Sequence, residues 1–158
     1  MFREMVKKNK QLPQEEALQL LRSEPRGVLS LQGDDGYPYG VPTNFWYCEK
    51  DGCIYFHGGK TGHKVDSIAR CDKASLCVIS KPIPVEGSWA PDYKSVIVFG
   101  RVQAVEDMAA AMAFTKDLSL QFTEDTGFIQ EQIDLYGHET ACFRLIPEHI
   151  TGKRINES

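Results

Sequence analysis

The sequence predicts a single, mainly β domain in which six antiparallel strands form a barrel or a strongly curled sheet with flanking helices. Three observations lead to this fold class. Six segments are apolar, aromatic or alternating in the manner of strands, most of them are joined by short glycine-containing turns, and only a few segments have helical periodicity. A chain of 158 residues is most simply one domain and can bury roughly 70% of its unfolded surface.

The first helix is predicted at residues 14–23. Pro13, Glu15 and Glu16 suit the first turn of a helix, and Pro25 ends it. The preceding residues 1–12 are polar and basic, and we expect them to form an N-terminal arm of a domain that spans residues 1–158.

Three strands are then expected as an antiparallel meander, at 28–31, 37–48 and 53–57, with turns at 33–36 and 50–52. Pro42 lies within the second strand and cannot donate to a ladder. We therefore expect this point to lie on a sheet edge or a bulge, or to face something other than a neighbouring strand.

The second half of the chain alternates strands and helices. Strands are predicted at 74–80, 95–105 and 140–146, helices at 108–119 and 127–136, and a long irregular loop at 81–92. Asp107 is a suitable N-cap for the first of these helices, and Gly137 is a suitable C-cap for the second.

Composition narrows the function classes. A net charge of −4 and an isoelectric point near 5.6 argue against a general nucleic-acid binder. Five cysteines without a Cys-x-x-Cys pair are typical of a reducing compartment. No signal peptide and no apolar run near the ~18 residues of a membrane span are evident, so we expect a soluble, cytoplasmic protein.

The segment from Ile54 to Lys64 has the strongest functional signal. An apolar strand end leads into a glycine-rich loop, and a short helix is predicted to open near 61–63. Lys60, His63 and Lys64 would then surround a helix N-terminus that already carries a partial positive charge, which is unfavourable unless an anion such as a phosphate binds there. The alternative is that these are ordinary solvated side chains on a turn. A triphosphate-binding P-loop is excluded, because its first glycine would fall at Ile54.

The third predicted strand also offers a candidate metal site. Cys53, Tyr55 and His57 alternate along one face, with Cys48 across the turn. Neither of the usual zinc motifs is present, and free cysteines in strands are usually small core residues. No metal is therefore predicted.

Four segments together resemble one family. They are residues 37–42 (Tyr-Pro-Tyr-Gly-Val-Pro), 54–64 (Ile-Tyr-Phe-His-Gly leading to Gly-His-Lys), 93–100 (Tyr-Lys-Ser-Val-Ile-Val-Phe-Gly) and 150–153 (Ile-Thr-Gly-Lys). In order and spacing the sequence is similar to the pyridoxamine 5'-phosphate oxidase-related, FMN-binding split-barrel proteins, in particular the nitroimidazole-resistance-like branch. The similarity extends from the first helix to Lys153.

This resemblance implies a homodimer of six-stranded split barrels with FMN in the groove between the subunits; FAD, a deazaflavin and haem are the alternatives. The loop and helix start would hold the flavin phosphate, the backbone of 41–44 would lie along the isoalloxazine ring, His57 and Ser80 would line the groove, and Tyr93 and Ser95 would approach from the partner chain. The implied cofactor-binding residues are Val41, Pro42, Thr43, Asn44, His57, Lys60, Gly62, His63, Lys64, Ser80, Tyr93 and Ser95.

Two functions are compatible with the resemblance. The first is a flavin-dependent oxidoreductase that passes electrons from NAD(P)H to a small electron-poor acceptor, such as a nitroaromatic compound; without a Gly-x-Gly-x-x-Gly fingerprint, the nicotinamide would bind only transiently. The second is a non-catalytic flavin- or haem-binding protein of storage, sensing or stress protection. Vitamin B6 oxidation is not expected, because no second set of basic residues matches the substrate phosphate site. No catalytic acid or base is assigned, since a flavin carries the redox chemistry.

Overall fold

The structure is a computed structural model that describes residues 1–156. It contains four helices, α1 (Gln14–Ser23), α2 (His63–Arg70), α3 (Met108–Ser119) and α4 (Thr126–Tyr136). The strands are β1 (Arg26–Gln32), β2 (Pro38–Asn44), β3 (Trp46–Tyr47), β4 (Ile54–Gly59), β5 (Lys73–Ile79), β6 (Asp92–Ala104) and β7 (Thr140–Asn156). Single 3₁₀ turns occupy Lys8–Lys10, Asp34–Gly36 and Gly137–Glu139.

The strands form one antiparallel, curled sheet in the order β2-β1-β5-β6-β7-β4-β3, so the predicted fold class is confirmed. The strand number differs, because the predicted strand 37–48 is divided into β2 and β3. The division falls at Phe45, whose ring is fully buried and whose amide donates to the carbonyl oxygen of Pro25 at 3.0 Å instead of to a neighbouring strand.

An opening separates β2 from the second half of β4. Strand β2 ends the sheet on one side, and β3 pairs with β4 only through Trp46–Tyr55 and Tyr47–Ile54. Residues 56–59 of β4 therefore have no strand partner on that side, although β2 and β4 approach each other as the sheet curls. We call this opening the split. The position of β2 confirms that Pro42 lies on an edge strand.

The main core fills the inside of the curled sheet. Alternate residues of the strands point inward and pack against one face of α1, with Leu29, Leu76, Val98 and Leu21 nearly inaccessible to solvent. A second, smaller cluster lies on the outer face of β4, where Tyr55, Cys53 and Cys142 pack under α3. Burying these apolar side chains stabilises the sheet and fixes α3 against β4.

The last strand is much longer than the predicted 140–146. It continues to Asn156 because a bulge admits Pro147: the β6–β7 register shifts between Phe99 and Gly100, and Gly100 lies opposite Pro147. A Cβ on Gly100 would lie 2.1 Å from the carbonyl oxygen of Ile146, so only glycine fits this close approach. Pairing with β6, rather than local sequence, sets the length of β7.

The N-terminal arm packs on the sheet. The amide of Leu12 donates to the carbonyl oxygen of Gly152 at 2.9 Å, and the Phe2 ring stacks on Phe99 and His149, with centroid distances of 5.6 and 4.9 Å. The predicted domain of 1–158 ends two residues beyond the described part of the chain. Among residues 1–156, no helix is long and apolar enough to cross a membrane.

Candidate functional site

Helix α2 begins at the split without a side-chain cap. Gly62 precedes the helix with φ 121°, a conformation that favours glycine, and the first helical hydrogen bond runs from the Asp66 amide to the Gly62 carbonyl oxygen. The amides of residues 63–65 therefore have no partner within the helix. Together with the helix dipole, they make this end of α2 attractive to an anion.

Lys64 lies in this first turn with its side chain half-buried. Its Nζ donates to the carbonyl oxygen of His57 at 3.2 Å and lies 5.6 Å from the centroid of the Phe56 ring. Burial lowers the pKa of Lys64 below its usual value. No carboxylate of residues 1–156 forms an ion pair with it, so a partly desolvated cation meets only a carbonyl group and an aromatic face. An anion would stabilise this arrangement.

Gly58 makes room for the Lys64 ammonium. A Cβ at this position would lie 2.5 Å from Nζ and 2.9 Å from Cε of Lys64. The glycine-rich character of 58–62 therefore has a steric cause on the strand as well as a conformational one at Gly62.

His63 is held by residues from the β1–β2 hairpin. Its ring stacks on Tyr39, with centroids 3.9 Å apart and an interplanar angle of 17°, and its Nε2 lies 3.6 Å from Asp34 Oδ2. Asp34 also accepts a hydrogen bond from Arg70 at 2.6 Å. The hairpin thus ties both ends of α2 to β2, and Asp34 supplies part of the negative charge that the sequence pattern required near His63.

Lys60 points elsewhere. Its exposed side chain borders a small pocket against α3 and the start of β7, together with Met108, Met112 and Thr140. The structure therefore places Lys60 on the opposite side of the loop from Lys64, whereas His63, Lys64 and Gly62 lie together at the split.

The segment 41–44 forms the free end of the sheet beside the split. Val41 packs against the main core, Pro42 is exposed, and the buried Thr43 donates its hydroxyl to the Val41 carbonyl oxygen at 3.1 Å. Asn44 is exposed at the end of β2 and borders the same cleft as His57. This edge offers backbone groups that no strand of the described chain occupies.

His57 lies on the outer face of β4, turned towards α3 and α4. Surrounding protein atoms and the positive charge of Lys64 both lower the pKa of His57, although its ring remains open to solvent at the cleft. The imidazole is therefore neutral near pH 7 and can accept or donate one hydrogen bond.

Ser80, Tyr93 and Ser95 gather at a different place. Ser80 follows β5, and its Oγ accepts from the Lys94 amide at 2.9 Å; Tyr93 borders the same small surface cavity as Ser80. Ser95 lies between Ile79 and Lys153 in the sheet register. Helix α2 leads into the start of β5, whereas Ser80 follows the end of this strand, so Ser80 accompanies Tyr93 rather than His57.

Of the candidate metal ligands, Cys48, Cys53 and Tyr55 are core groups, whereas His57 is exposed. Cys48, Cys53 and Cys142 are buried, and burial raises the pKa of Cys53 and raises that of Cys142 to about 11. Across residues 1–156, no three His, Cys, Asp or Glu side chains come together as a metal site.

The sequence did not indicate Tyr39, Asp34 or Arg70 as neighbours of His63. Tyr39 belongs to the segment 37–42 that resembles the family, but its contact with His63 depends on how the first hairpin folds over α2. A polar residue in the turn at 33–36 has no local feature that points to a helix about 30 residues later.

A curled antiparallel sheet that is open between β2 and β4 defines a split-barrel protein. The chain belongs to the pyridoxamine 5'-phosphate oxidase family, whose model matches residues 13–154, and this confirms the resemblance seen in the sequence. No curated protein matches the chain significantly.

Several solved structures share the fold. A proposed 5-nitroimidazole antibiotic resistance protein from Bacteroides thetaiotaomicron is 18% identical with a TM-score of 0.73, over 91% of this chain and 86% of that one. An FAD-binding protein from Mesorhizobium loti is 21% identical with a TM-score of 0.66, over 93% and 98%. The flavocytochrome Anf3 from Azotobacter vinelandii is 21% identical with a TM-score of 0.65, over 91% and 68%.

Proposed function

We propose that this protein binds a flavin at the split and is an oxidoreductase that passes electrons from NAD(P)H to a small electron-poor acceptor, for example a nitroaromatic compound. The observation that carries the proposal is the half-buried Lys64 at the uncapped N-terminus of α2. The FAD-binding protein, the flavocytochrome and the nitroimidazole resistance protein of the same fold support a flavin and this class of acceptor.

The residues at the split fit a flavin phosphate. Lys64 provides a cation without a carboxylate partner, the amides of 63–65 provide donors, and Gly58 and Gly62 keep the surroundings free of side chains. The free edge of β2 at 41–44 provides backbone groups for a polar ring system. One phosphate site favours FMN, with FAD, a deazaflavin or haem as alternatives.

A bound flavin supplies the two-electron redox chemistry of such a protein. The residues of this chain bind and orient it: Lys64 neutralises phosphate charge, and Tyr39 fixes His63 next to the same helix end. The neutral His57 offers one donor and one acceptor beside the split. The side chains of α3 and α4 give the neighbouring cleft a mainly apolar wall.

A second protomer completes the proposed site. Val28, Cys77 and Ile97 form one row on the outward face of β1, β5 and β6, and Val28 and Ile97 are 42% and 39% exposed. Ile79 and Phe99 extend this outer face, and the nearby loop exposes Trp89 at 87%. We propose a homodimer formed through this apolar face, with Tyr93 and Ser95 reaching the flavin of the partner.

A non-catalytic flavin- or haem-binding protein is the second candidate. It is favoured by the chemistry of the cleft beside His57, whose lining includes no carboxylate and no lysine that could act as a strong acid or base. Flavin reduction itself needs no such group, so only kinetics separate the two candidates.

The absorbance spectrum of the purified protein tests the cofactor, and anaerobic reduction by NADH and NADPH tests the activity. We expect a flavin spectrum, bleaching by at least one donor, and reoxidation by nitrobenzene. Flavin that neither donor reduces would establish the binding protein, and a protein that binds neither flavin nor haem would disprove both functions. Pyridoxamine 5'-phosphate serves as the control substrate, and we expect no turnover of it.

A further inference from the structure

A cleft of about 320 Å³ lies between α3, α4 and the barrel. Asn44, His57 and Thr140 are its lining residues from the strands of the barrel, and the rest come from α3, α4 and their connections. These are Thr115, Leu118, Ser119, Phe122, Thr123, Phe128, Ile129, Gln132, Ile133, Tyr136 and Gly137. Because Asn44 ends the edge of β2 at the split, the cleft opens next to the proposed flavin.

The lining is electrically neutral. It contains no Asp, Glu, Lys or Arg, and the pKa of His57 is lowered by burial and by Lys64, which keeps its imidazole uncharged near pH 7. Arg26 is not a lining residue, but its guanidinium carbon lies 5.3 Å from the centroid of the Phe122 ring. An ionic ligand would lose hydration in this cleft without a charged lining residue as its partner.

The hydroxyl groups of Thr115, Ser119 and Thr140 in the lining are already engaged. The Thr115 hydroxyl donates to the Ala111 carbonyl oxygen at 2.9 Å, and the Ser119 hydroxyl donates to the Thr115 carbonyl oxygen at 2.8 Å. What remains is an apolar and aromatic wall with the amides of Asn44 and Gln132, the imidazole of His57 and the hydroxyl of Tyr136 as polar contacts. This is the usual composition of a small-molecule site, in which a few polar groups fix the orientation of an apolar ligand.

We propose that this cleft binds uncharged aromatic compounds of one or two rings. Its volume is near the lower end of ligand pockets, roughly 300–1,000 Å³, which limits the ligand to this size. The assignment deepens the proposed function, because such compounds include the electron-poor acceptors named above, but binding in the cleft does not itself depend on a flavin.

Isothermal titration of the full-length protein with nitrobenzene and 4-nitrobenzoate tests the charge selectivity. The two probes share a nitro-substituted ring and differ in one carboxylate. We expect nitrobenzene to bind at least about tenfold more tightly, which corresponds to ~1.4 kcal/mol. Equal affinities, tighter binding of the carboxylate, or no binding of nitrobenzene would overturn the proposal.

Two substitutions locate the site. Gln132→Trp fills the cleft and should weaken nitrobenzene binding by at least about tenfold, whereas Leu135→Trp, on the same helix but outside the lining, should leave it unchanged. Phe128 is 52% exposed, so Phe128→Lys should preserve the fold while it improves 4-nitrobenzoate binding relative to nitrobenzene. If Leu135→Trp abolishes binding and the two lining variants do not, the ligand lies elsewhere.

Titrations with and without FMN separate this proposal from the proposed function. Nitrobenzene binding in a protein that takes no flavin would support the cleft and disprove the flavoprotein. Flavin binding without nitrobenzene binding would support the flavoprotein and disprove the ligand site in the cleft.

Discussion

The ammonium group of Lys64 donates a hydrogen bond to the carbonyl oxygen of His57 across 3.2 Å, and so joins the first turn of α2 to the free edge of β4. The charge of the same ammonium contributes to the lowered pKa of the His57 imidazole. One cation therefore connects the proposed phosphate site at the helix with the neutral imidazole beside the cleft. An anion bound at α2 would act on both.

Replacing Lys64 with alanine should weaken flavin binding. A charge-assisted hydrogen bond to phosphate contributes roughly 1.5–3 kcal/mol, so affinity should fall by about ten- to a hundredfold at ~1.4 kcal/mol per factor of ten. The stability of the flavin-free protein should change little, because loss of the bond to His57 is offset by removal of a cation from the positive end of a helix. Quenching of FMN fluorescence on titration measures the affinity.

Lys73→Ala, an exposed lysine on β5, is the matched control and should bind flavin like the wild type. Raised salt should weaken the wild type more than Lys64→Ala, since only the wild type has this charge contact. Equal affinities for wild type and Lys64→Ala would mean that the loop is merely a turn.

Replacing Gly58 with alanine should displace the Lys64 ammonium. The new Cβ would lie 2.5 Å from Nζ, which the flexible lysine can relieve only by leaving its position. We expect flavin affinity to fall by roughly three- to tenfold, or about 0.7–1.4 kcal/mol. Gly59→Ala is the control, because its Cβ would meet only the Thr61 carbonyl oxygen, at 3.4 Å.

The double variant Gly58→Ala/Lys64→Ala decides whether the effect acts through the lysine. If it does, alanine at residue 58 should cause no further loss once Lys64 is gone. Additive losses would indicate instead that Gly58 itself approaches the cofactor.

His57 should titrate below the usual histidine pKa of ~6.5, and removing the Lys64 charge should raise its pKa. Because the folded-state pKa is depressed, the folded protein binds fewer protons than the unfolded chain. Stability from this group is therefore complete above about pH 6.5 and is lost as the pH falls towards the folded-state pKa.

Imidazole NMR titration of wild type and Lys64→Gln measures the His57 pKa in each protein. The variant His57→Gln should flatten the acid limb of the unfolding free energy. A His57 pKa that Lys64→Gln leaves unchanged would contradict the electrostatic coupling.

Local signals explain which elements the sequence predicted accurately. Helix α1 has the predicted bounds, because Pro13 and Pro25 act on their immediate neighbours. His57, Gly62, His63 and Lys64 lie close together as expected, since a strand end, a short loop and a helix start leave little freedom over eight residues.

Long-range contacts explain the rest. The break at Phe45 depends on a hydrogen bond to Pro25, and the extension of β7 beyond Pro147 depends on its pairing with β6. Likewise, the stacking of Tyr39 on His63 and the direction of Lys60 follow from how hairpins and α3 are arranged around the loop. Ser80 and Tyr93 lie together at the end of β5 because β5 pairs with β6, which no local pattern encodes.

The outward face of β1, β5 and β6 leads to the last prediction. Ile97 is 39% exposed in the middle of this face. Its neighbours on the same face, Ile79 on β5 and Phe99 on β6, are 58% and 40% exposed. Exposed apolar patches of this kind mark interfaces.

We expect a twofold-symmetric homodimer that buries more than ~2,000 Å², to which the loop at 82–93 contributes. Ile97→Asp would place a charge in this interface and should yield monomers at micromolar concentration in light scattering. Flavin affinity should fall with the dimer, because Tyr93 and Ser95 would no longer reach the partner's site. Leu135→Asp, which changes a leucine on α4 that is 52% exposed, should remain dimeric and retain flavin. A wild-type protein that is monomeric while flavin is bound would show that one protomer forms the whole cofactor site.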